Sequence, residues 1–291
     1  MTQRAPLEAK DTLFSKKTTL NCRGKILQLD TPKVMGILNL TPDSFFAGSR
    51  LHSTDEAVRK AEAMLAAGAD ILDIGGYSSR PGAADVPAQE EQARIVPAIA
   101  AIVKAFPEAI LSVDTFRAGV AEAAIDAGAA IINDISAGQL DEAMYETVAR
   151  LQVPYILMHM RGTPQTMASM TAYEDLVTEV LDELQVQAAR LRQLGVKDII
   201  VDPGFGFAKT VSQNFELLQH LEAFRILGLP VLVGVSRKSM AYKFLGIDQA
   251  DALPGTIALN TMALMKGAAI LRVHDVKETK QTIELYKKTT L

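Results

Sequence analysis

The sequence predicts a (β/α)8 barrel, the TIM-barrel architecture, with a β-hairpin before its first strand. Eight short apolar runs recur along the chain, each followed by a polar residue and then by a helical pattern. Unbroken alternation of strands and helices is typical of one parallel sheet and argues against separate sheet and helix domains. A length of 291 residues is ordinary for such a barrel. We therefore predict a single domain over residues 1–291, with an extension and hairpin at 1–32 and the barrel at 33–291.

The strands follow in order along the chain. Thr18–Asn21 and Lys25–Leu29 are short extended patterns around Arg23-Gly24, which predicts the hairpin. The eight barrel strands are expected at Val34–Leu38, Ile71–Leu72, Ile110–Val113, Ile131–Ile132, Tyr155–Met158, Ile199–Val201, Val231–Val235 and Ile270–Leu271. Their polar ends should gather at the carboxyl-terminal face of the barrel, where such folds carry out chemistry.

Helices fill the gaps between the strands. The first is signalled by Ser53 and Glu56 at capping-box spacing and by Gly68 at its end. The others are expected at Gln89–Ala105, Arg117–Ala127, Asp141–Leu151, Tyr173–Leu194, Asn214–Leu227, Thr256–Lys266 and Val276–Lys288. Two connections at the active face, Asn39–His52 and Gly75–Pro87, are long enough to act as lids.

Composition excludes several classes of function. A formal charge of -4 gives no reason to expect nucleic acid or an anionic membrane as a partner. No stretch approaches the roughly 18 unbroken apolar residues of a membrane span, and the start lacks a signal peptide. The only cysteine, Cys22, excludes an internal disulfide and a thiolate metal cluster. We expect a cytoplasmic protein.

Two carboxylates and one amide follow strands of the predicted barrel and should share its rim. Asp114 ends ILSVD, Asp202 ends IIVD, and Asn133 lies in IINDIS. Each carboxylate taken alone suits a helix cap or an ion pair. Together the three suit a flat heterocycle such as a 2-amino-4-oxopyrimidine, because a carboxylate accepts two parallel N–H donors and an amide both donates and accepts.

Basic residues follow other strands of the same barrel. Arg80 lies in YSSRPG, Lys238 in GVSRKS, and Arg272 and His274 in ILRVHD. One such residue taken alone is usually solvated, but positive charge that converges on a cleft indicates an anion such as phosphate or pyrophosphate. The hydroxyl of Ser79 adds a donor beside Arg80.

Other residues leave more than one interpretation open. Asn39 follows the first barrel strand and suits a turn or a cap, or else one ligand of a hydrated Mg²⁺ ion. DPGFGFAKT does not match GxxxxGK[ST], so a nucleotide P-loop is rejected. His159 is interpreted as structural because no second histidine has metal-ligand spacing. Met158 and Phe207 are expected to line an apolar slot.

The motifs taken together resemble one known family. In order they are MGILNLTPDSF, DIGGYSSRPGA, SVDTFR, IINDISAG, LMHMRGTPQTM, DPGFGFAKT, GVSRKSM and ILRVHDV. They resemble the dihydropteroate synthases of the folate pathway from about residue 33 to residue 276. The resemblance implies a (β/α)8 barrel that joins 6-hydroxymethyl-7,8-dihydropterin pyrophosphate to p-aminobenzoate, uses Mg²⁺ and forms a homodimer.

The resemblance also implies roles for individual residues. Asp114, Asp202 and Lys238 would be catalytic as well as binding residues, and Asn39 would hold the metal. The residues implied to bind the pterin are Asp114, Asn133, Asp202 and Lys238. Those implied to bind pyrophosphate are Asn39, Ser79, Arg80, Arg272 and His274. Those implied to lie near p-aminobenzoate are Pro81, Ser236 and Lys238.

The chain departs from the family pattern in its loops. Tyr77 stands where the family usually has Glu, and Ser79 replaces Thr but keeps the hydroxyl. Phe46-Ala47 and Ala241-Tyr242 also differ from the common residues, which puts loop movement and the second-substrate pocket in question. Two alternatives stay open: a methyltetrahydrofolate-binding methyltransferase domain, which would not need the converging cations, and a non-catalytic pterin-binding protein.

Overall fold

The chain forms a closed barrel of eight parallel strands with an antiparallel hairpin at one end, as predicted. The computed structural model describes residues 17–40, 50–77 and 86–290. The hairpin pairs β1 (Thr19–Cys22) with β2 (Lys25–Gln28). Its turn places Arg23 and Gly24 at φ of 55° and 89°, a left-handed pair whose twist matches that of the flanking strands.

The barrel strands pair in a continuous parallel series. They are β3 (Lys33–Asn39), β4 (Ile71–Gly75), β5 (Leu111–Asp114), β6 (Ile131–Asp134), β7 (Tyr155–Met158), β8 (Ile199–Asp202), β9 (Leu232–Val233) and β10 (Ile270–Val273). Neighbours in the sheet run from β8 through β3 to β10 and β9. A parallel bridge between Val201 and Val231 joins the two ends of this series, so the sheet closes.

The hairpin closes the amino-terminal end of the barrel. Its apolar side chains form one buried cluster with those that point into the lower barrel, namely Leu20, Cys22, Leu27, Leu29, Met35, Ile71, Ile131, Ile156, Ile200, Leu232 and Ile270. Burial, assisted by the nearby Asp198 carboxylate, raises the pKa of the Cys22 thiol to about 12, so this cysteine is inert. We call this cluster the plug.

The helices surround the barrel. Their bounds are α1 (Arg50–Ala66), α2 (Ala88–Ala105), α3 (Ala118–Asp126), α4 (Met144–Leu151), α5 (Leu176–Gln193), α6 (Val211–Gln219), α7 (Ser239–Leu245), α8 (Leu253–Met265) and α9 (Val276–Thr290). The first helix begins before Ser53, so the predicted capping box does not mark its start. The predicted Asn214–Leu227 helix is in fact α6 followed by a 3-10 turn. Helix α7 was not predicted. Among the described helices, none combines the length and hydrophobicity that a bilayer-spanning segment requires.

Parallel register brings the predicted polar residues to one face. Gly75 pairs with Asn39 on one side and with Asp114 on the other, and Asp114 pairs in turn with Asn133. Across the barrel, Met158 pairs with Asp202. Because side chains alternate along a strand, residues at equal height point the same way, here into the upper barrel above the plug.

Candidate active site

An arginine joins two carboxylates at the centre of the upper barrel. Arg272, on β10, places Nε 2.6 Å from Asp73 Oδ2 and Nη2 2.6 Å from Asp114 Oδ2. Burial opposes its charge, but the Asp73 and Asp114 carboxylates together raise the pKa of Arg272 above its usual value. The guanidinium therefore stays charged and fixes the position of both carboxylates.

Asp73 follows the predicted strand Ile71–Leu72, but the sequence assigned it no role in the site. It is fully buried, and its Oδ2 accepts from Asn133 Nδ2 at 3.0 Å as well as from Arg272. Because the Asn133 NH2 group is turned towards Asp73, the amide oxygen is the atom that Asn133 can offer to a ligand. The available signal was a carboxylate inside the apolar strand ILDIG, where a charge is costly unless it has partners.

The carboxylates of the upper barrel are held in an environment that resists their ionisation. Burial raises the pKa of Asp114 to about 7, Arg272 opposes the rise, and Asp73 adds to it. Burial also raises the pKa of Asp202, against the opposing charge of Lys238. Carboxyl groups with raised pKa values in a cleft are typical of functional sites. Here their oxygen atoms can accept hydrogen bonds from the N–H groups of a ligand in the upper barrel.

Lys238 follows β9, the strand beside β10, and lies near Arg272: a Cβ placed on Gly234 would be 3.8 Å from Arg272 Cβ and 3.9 Å from Lys238 Nζ. Its ammonium donates to the carbonyl of Phe205 and lies 4.8 Å from the centroid of the Phe207 ring. Burial lowers the pKa of Lys238 to about 8, while the Asp202 carboxylate raises it. Lys238 therefore interacts with two predicted site residues: with the Asp202 carboxylate through its charge, and with the Phe207 ring through a cation–π contact.

The loops after β9 and β10 are tied together at the rim. Ser236 Oγ lies 3.0 Å from His274 Nδ1 and accepts from the His274 backbone N–H at 3.1 Å. Arg237, with φ of 51°, is held by two hydrogen bonds to Asp275 at 2.7 and 2.8 Å. These bonds hold Ser236 and the exposed His274 next to each other at the barrel mouth.

Met158 and Phe207, which were predicted to line an apolar slot, lie in a hydrophobic cluster at the upper end of the barrel. This cluster also contains Phe116, Ile135, Leu140, Met160, Met167 and Ala208. Met158 is buried on β7, whereas Phe207 is partly exposed. A flat ring could therefore contact apolar atoms on one side while its edge meets the carboxylates.

Most of the predicted site residues come together. Contacts or electrostatic interactions at the upper end of the barrel join Asp114, Asn133, Asp202, Lys238 and Arg272, and the other described residues lie at the same end, namely Asn39, Met158, Phe207, Ser236 and His274. Ser79, Arg80 and Pro81 lie outside the described residues. So do most of the two predicted lids and the Phe46-Ala47 departure.

The Asn39 side chain offers the kind of ligand atom, an amide oxygen, that a loosely held magnesium ion takes. A Cβ placed on Gly75 would lie 3.4 Å from Asn39 Oδ1 and 3.7 Å from Asp114 Oδ2, so the missing side chain leaves a space bordered by oxygen atoms. No group of three His, Cys, Asp or Glu side chains within 17–40, 50–77 and 86–290 could form a metal cage. These residues suit an ion that keeps most of its water and takes few protein ligands.

Comparison with known proteins agrees with this geometry. The family model described as "Pterin binding enzyme" matches residues 35–274, which is most of the chain and the whole barrel mouth. The chain belongs to the pterin-binding enzymes. This result confirms the family resemblance drawn from the eight motifs.

Relatives within the pterin-binding enzymes are similar over nearly their whole length. Dihydropteroate synthase of Escherichia coli is 43% identical over 272 residues, covering 93% of this chain and 96% of that protein. The Synechocystis dihydropteroate synthase is 45% identical over 251 residues, covering 85% and 86%. The Xanthomonas albilineans enzyme solved with 4-aminobenzoic acid has a TM-score of 0.88 at 39% identity, covering 94% and 99%. The same enzyme solved with 7,8-dihydropteroate has a TM-score of 0.84 at 37% identity, covering 94% and 98%.

Tyr77, which stands where the family usually has Glu, is buried and packed against neighbouring side chains. Its ring meets Phe116 edge-on, with centroids 5.3 Å apart, and Arg117 lies 5.5 Å from the ring centroid. Its hydroxyl accepts from Gln165 at 3.3 Å. Tyr77 therefore ties the end of β4 to the loops after β5 and β7, and its side chain is only 8% exposed.

Proposed function

We propose that this protein is a dihydropteroate synthase, which condenses 6-hydroxymethyl-7,8-dihydropterin pyrophosphate with p-aminobenzoate to give 7,8-dihydropteroate and pyrophosphate. One observation supports this most strongly: the upper barrel holds Asp73, Asp114, Asn133 and Asp202 together with two cations, Arg272 and Lys238. Such a floor suits a ring rich in N–H donors attached to an anionic group. The solved X. albilineans enzyme with 7,8-dihydropteroate supports the same conclusion.

The pterin ring would lie on the floor of the upper barrel. A carboxylate, Asp202 or Asp114, accepts the parallel N–H donors of the 2-amino-4-oxo edge, and the Asn133 amide oxygen accepts another donor. Met158 and Phe207 contact the ring faces through the apolar slot. Lys238 offers its ammonium to the ring's oxygen or nitrogen acceptors, and its charge sits beside Asp202.

The pyrophosphate would lie towards the rim. Asn39, Ser79, Arg80, Arg272 and His274 are the residues proposed to contact it. Arg272 and His274 occupy the β10 side of the mouth, and Asn39 ends β3 beside them. Bound magnesium would be held by the Asn39 amide oxygen together with pyrophosphate oxygens and water, and it would neutralise charge on the leaving group.

The reaction breaks the bond between the methylene carbon and a pyrophosphate oxygen. The electron pair leaves with pyrophosphate, and the arylamine nitrogen of p-aminobenzoate attacks the methylene and then loses one proton to solvent. Positive charge that develops on the methylene spreads into the dihydropterin ring. Asp114 and Asp202 stabilise that charge, which is greater in the transition state than in the ground state.

The second substrate would enter above the pterin. Pro81, Ser236 and Lys238 are proposed to border p-aminobenzoate, and the described two of them come from the β9–α7 connection. An arylamine is unprotonated near neutral pH, so no strong general base is required. Closure by the connections 39–52 and 75–87 would keep water away from the electrophilic methylene.

The assembly is proposed to be a homodimer of single domains spanning residues 1–291. Helix α8 buries Leu259, Ala263 and Leu264 but exposes Met262 at 50% and Met265 at 74%. Exposed apolar side chains on one helix face support a contact between copies. Met262→Glu is therefore expected to halve the mass measured by light scattering, and an unchanged mass would exclude this face. A cytoplasmic location remains our proposal, supported by the single cysteine.

The decisive experiment measures pyrophosphate release. Purified protein should release pyrophosphate from the dihydropterin substrate only when p-aminobenzoate and magnesium are both present. Omission of each component in turn is the control. A protein that binds the pterin but releases no pyrophosphate under any of these conditions would be a binding module, and the proposal would fail.

A further inference from the structure

The turn after β8 has a backbone shape that suits its two glycines but not its alanine. Within residues 203–208, Gly204, Gly206 and Ala208 all have positive φ, of 75°, 81° and 48°. A left-handed alanine is strained by about 1 kcal/mol or more. A Cβ on Gly204 would lie 1.9 Å from the His159 carbonyl oxygen, so the turn also packs directly against the end of β7. Contacts from outside the turn must therefore stabilise it.

Lys209 supplies some of those contacts, alongside Asn214 Oδ1, which accepts from the Gly206 N–H at 2.6 Å, and the Tyr173 hydroxyl, which donates to the Ala208 carbonyl at 3.0 Å. The Lys209 Nζ atom lies 3.2 Å from the Gly204 carbonyl oxygen, 3.1 Å from the Phe207 carbonyl oxygen and 2.9 Å from His159 Nδ1. The side chain is only 8% exposed. An ammonium has three N–H donors, and three acceptors surround this one, which satisfies the condition for burying it.

The same turn carries or contacts three residues of the proposed pterin site. The Gly204 N–H donates to Asp202 Oδ1 at 2.8 Å. The Phe205 carbonyl accepts from Lys238, and the Phe207 ring lies beneath the Lys238 ammonium. Lys209 thus donates to the carbonyl of Gly204, whose N–H holds Asp202, and to the carbonyl of Phe207, whose ring contacts Lys238.

We propose that Lys209 is a positioning residue of the pterin site, which holds the 203–208 turn in the shape that presents Asp202, Phe207 and Lys238 to the ring. This inference rests on the proposed function. Lys209 does not touch the reacting atoms, because its three donors are all occupied on the inner side of the turn. Loss of these bonds would leave the Gly204 carbonyl with only its bond from the Phe207 N–H, at 3.2 Å, and would remove the side-chain donor from the Phe207 carbonyl, which would allow the turn to relax.

A series of polar side chains, His159, Glu183 and Arg161, extends from Lys209 towards the surface of the barrel. Burial lowers the pKa of His159, so its neutral ring can accept from Lys209 at Nδ1, while its Nε2 lies 3.1 Å from Glu183 Oε2. The neighbouring His159 and Arg161 hold the pKa of Glu183 at about 2. Burial lowers the pKa of Lys209 to about 7, yet the neutral amine keeps two donors for the two carbonyls.

Lys209→Met tests the proposal, since methionine fills similar space without donors. Calorimetry would measure the Kd of 6-hydroxymethylpterin and, separately, of inorganic pyrophosphate. We expect the pterin Kd to rise by about tenfold or more while the pyrophosphate Kd stays within about twofold. The matched control is Lys197→Met, an exposed lysine at the other end of β8, which should change neither value.

A pterin Kd within about twofold of the original in folded Lys209→Met would overturn the proposal. An equal rise in both Kd values would do the same, because it would indicate general disruption. If Lys209→Met does not fold, His159→Leu is compared with His159→Asn, which keeps an acceptor near the position of Nδ1. Leu should weaken pterin binding severalfold and Asn should not; equal binding contradicts the inference. Failure of the proposed function is separate, since the unsubstituted protein would then release no pyrophosphate.

Discussion

Replacement of Asp114 by Asn is expected to abolish turnover yet stabilise the ligand-free protein. Asp114 sits 2.6 Å from Arg272, but the cost of burying its charge exceeds what Arg272 returns, because its pKa lies at about 7 instead of 3.8. A neutral amide of the same shape avoids that cost. Arg272 keeps its second partner, Asp73, so the substitution does not leave the arginine unpaired.

The magnitude follows from the shift in pKa. A rise from 3.8 to about 7 corresponds to about 4 kcal/mol of unfavourable charging in the folded state. Unsatisfied N–H donors of the introduced amide oppose the gain by about 1–3 kcal/mol, which leaves a net stabilisation of about 1–3 kcal/mol at pH 8. Because the folded pKa exceeds the unfolded one, Asp114 lowers the stability of the unsubstituted protein progressively as pH rises from about 4 to 7.

Urea unfolding at pH 5 and pH 8 measures this effect. The stability gained by Asp114→Asn should be larger at pH 8 than at pH 5 by about 2–3 kcal/mol, because any pH-independent cost of the amide cancels in the comparison. Turnover should fall by about a hundredfold or more. The control is Asp126→Asn, an exposed carboxylate at the end of α3. A gain that is equal at both pH values would refute the reasoning, and so would near-normal turnover.

Three further substitutions test the same floor and the plug below it. Arg272→Met leaves Asp73 and Asp114 buried without their cation and should lower the free energy of unfolding in urea by about 3–5 kcal/mol. Asp73→Asn should restore part of this loss in the double variant. An unchanged free energy of unfolding in Arg272→Met would show that the two ion pairs of Arg272 contribute nothing to stability. Asp73→Asn alone removes a charge that raises the pKa of Asp114, so the pH profile of turnover should move to lower pH, and an unmoved profile would count against that coupling. Leu20→Ala, in the plug, should cost about 2–4 kcal/mol of stability with kcat unchanged at 25 °C; loss of kcat in a folded variant would contradict a purely structural plug.

The strand order and the face that holds the site could be predicted because a polar residue marks the carboxyl end of most strands. An apolar run followed by Asn39, Asp114 or Asp202 indicates both the strand and the end of the barrel at which the polar side chain lies. The barrel closure follows from the regular alternation. By contrast, the strand predicted at Val231–Val235 spans only Leu232–Val233, and the seven-residue helix α7 was not predicted, because its periodicity is too short to define it.

The internal support of the site could not be predicted, because it depends on long-range contacts. Lys209 and His159 lie fifty positions apart, and Arg272 and Asp73 are separated by almost the whole barrel. The hairpin was predicted from its Arg23-Gly24 turn, but the sequence did not indicate which end of the barrel it covers. Local patterns therefore located the groups that face the cavity, and the structure was needed to locate the groups that hold them.

The hydrophobic seal formed by β1 and β2 closes the lower end of the barrel, so within the described residues the upper barrel opens towards its carboxyl-terminal mouth. Under the proposed function, a heterocycle that settles against Asp73, Asn133 and Asp202 would have to pass that mouth before the arylamine occupies it. The condensed product would then leave by the same route.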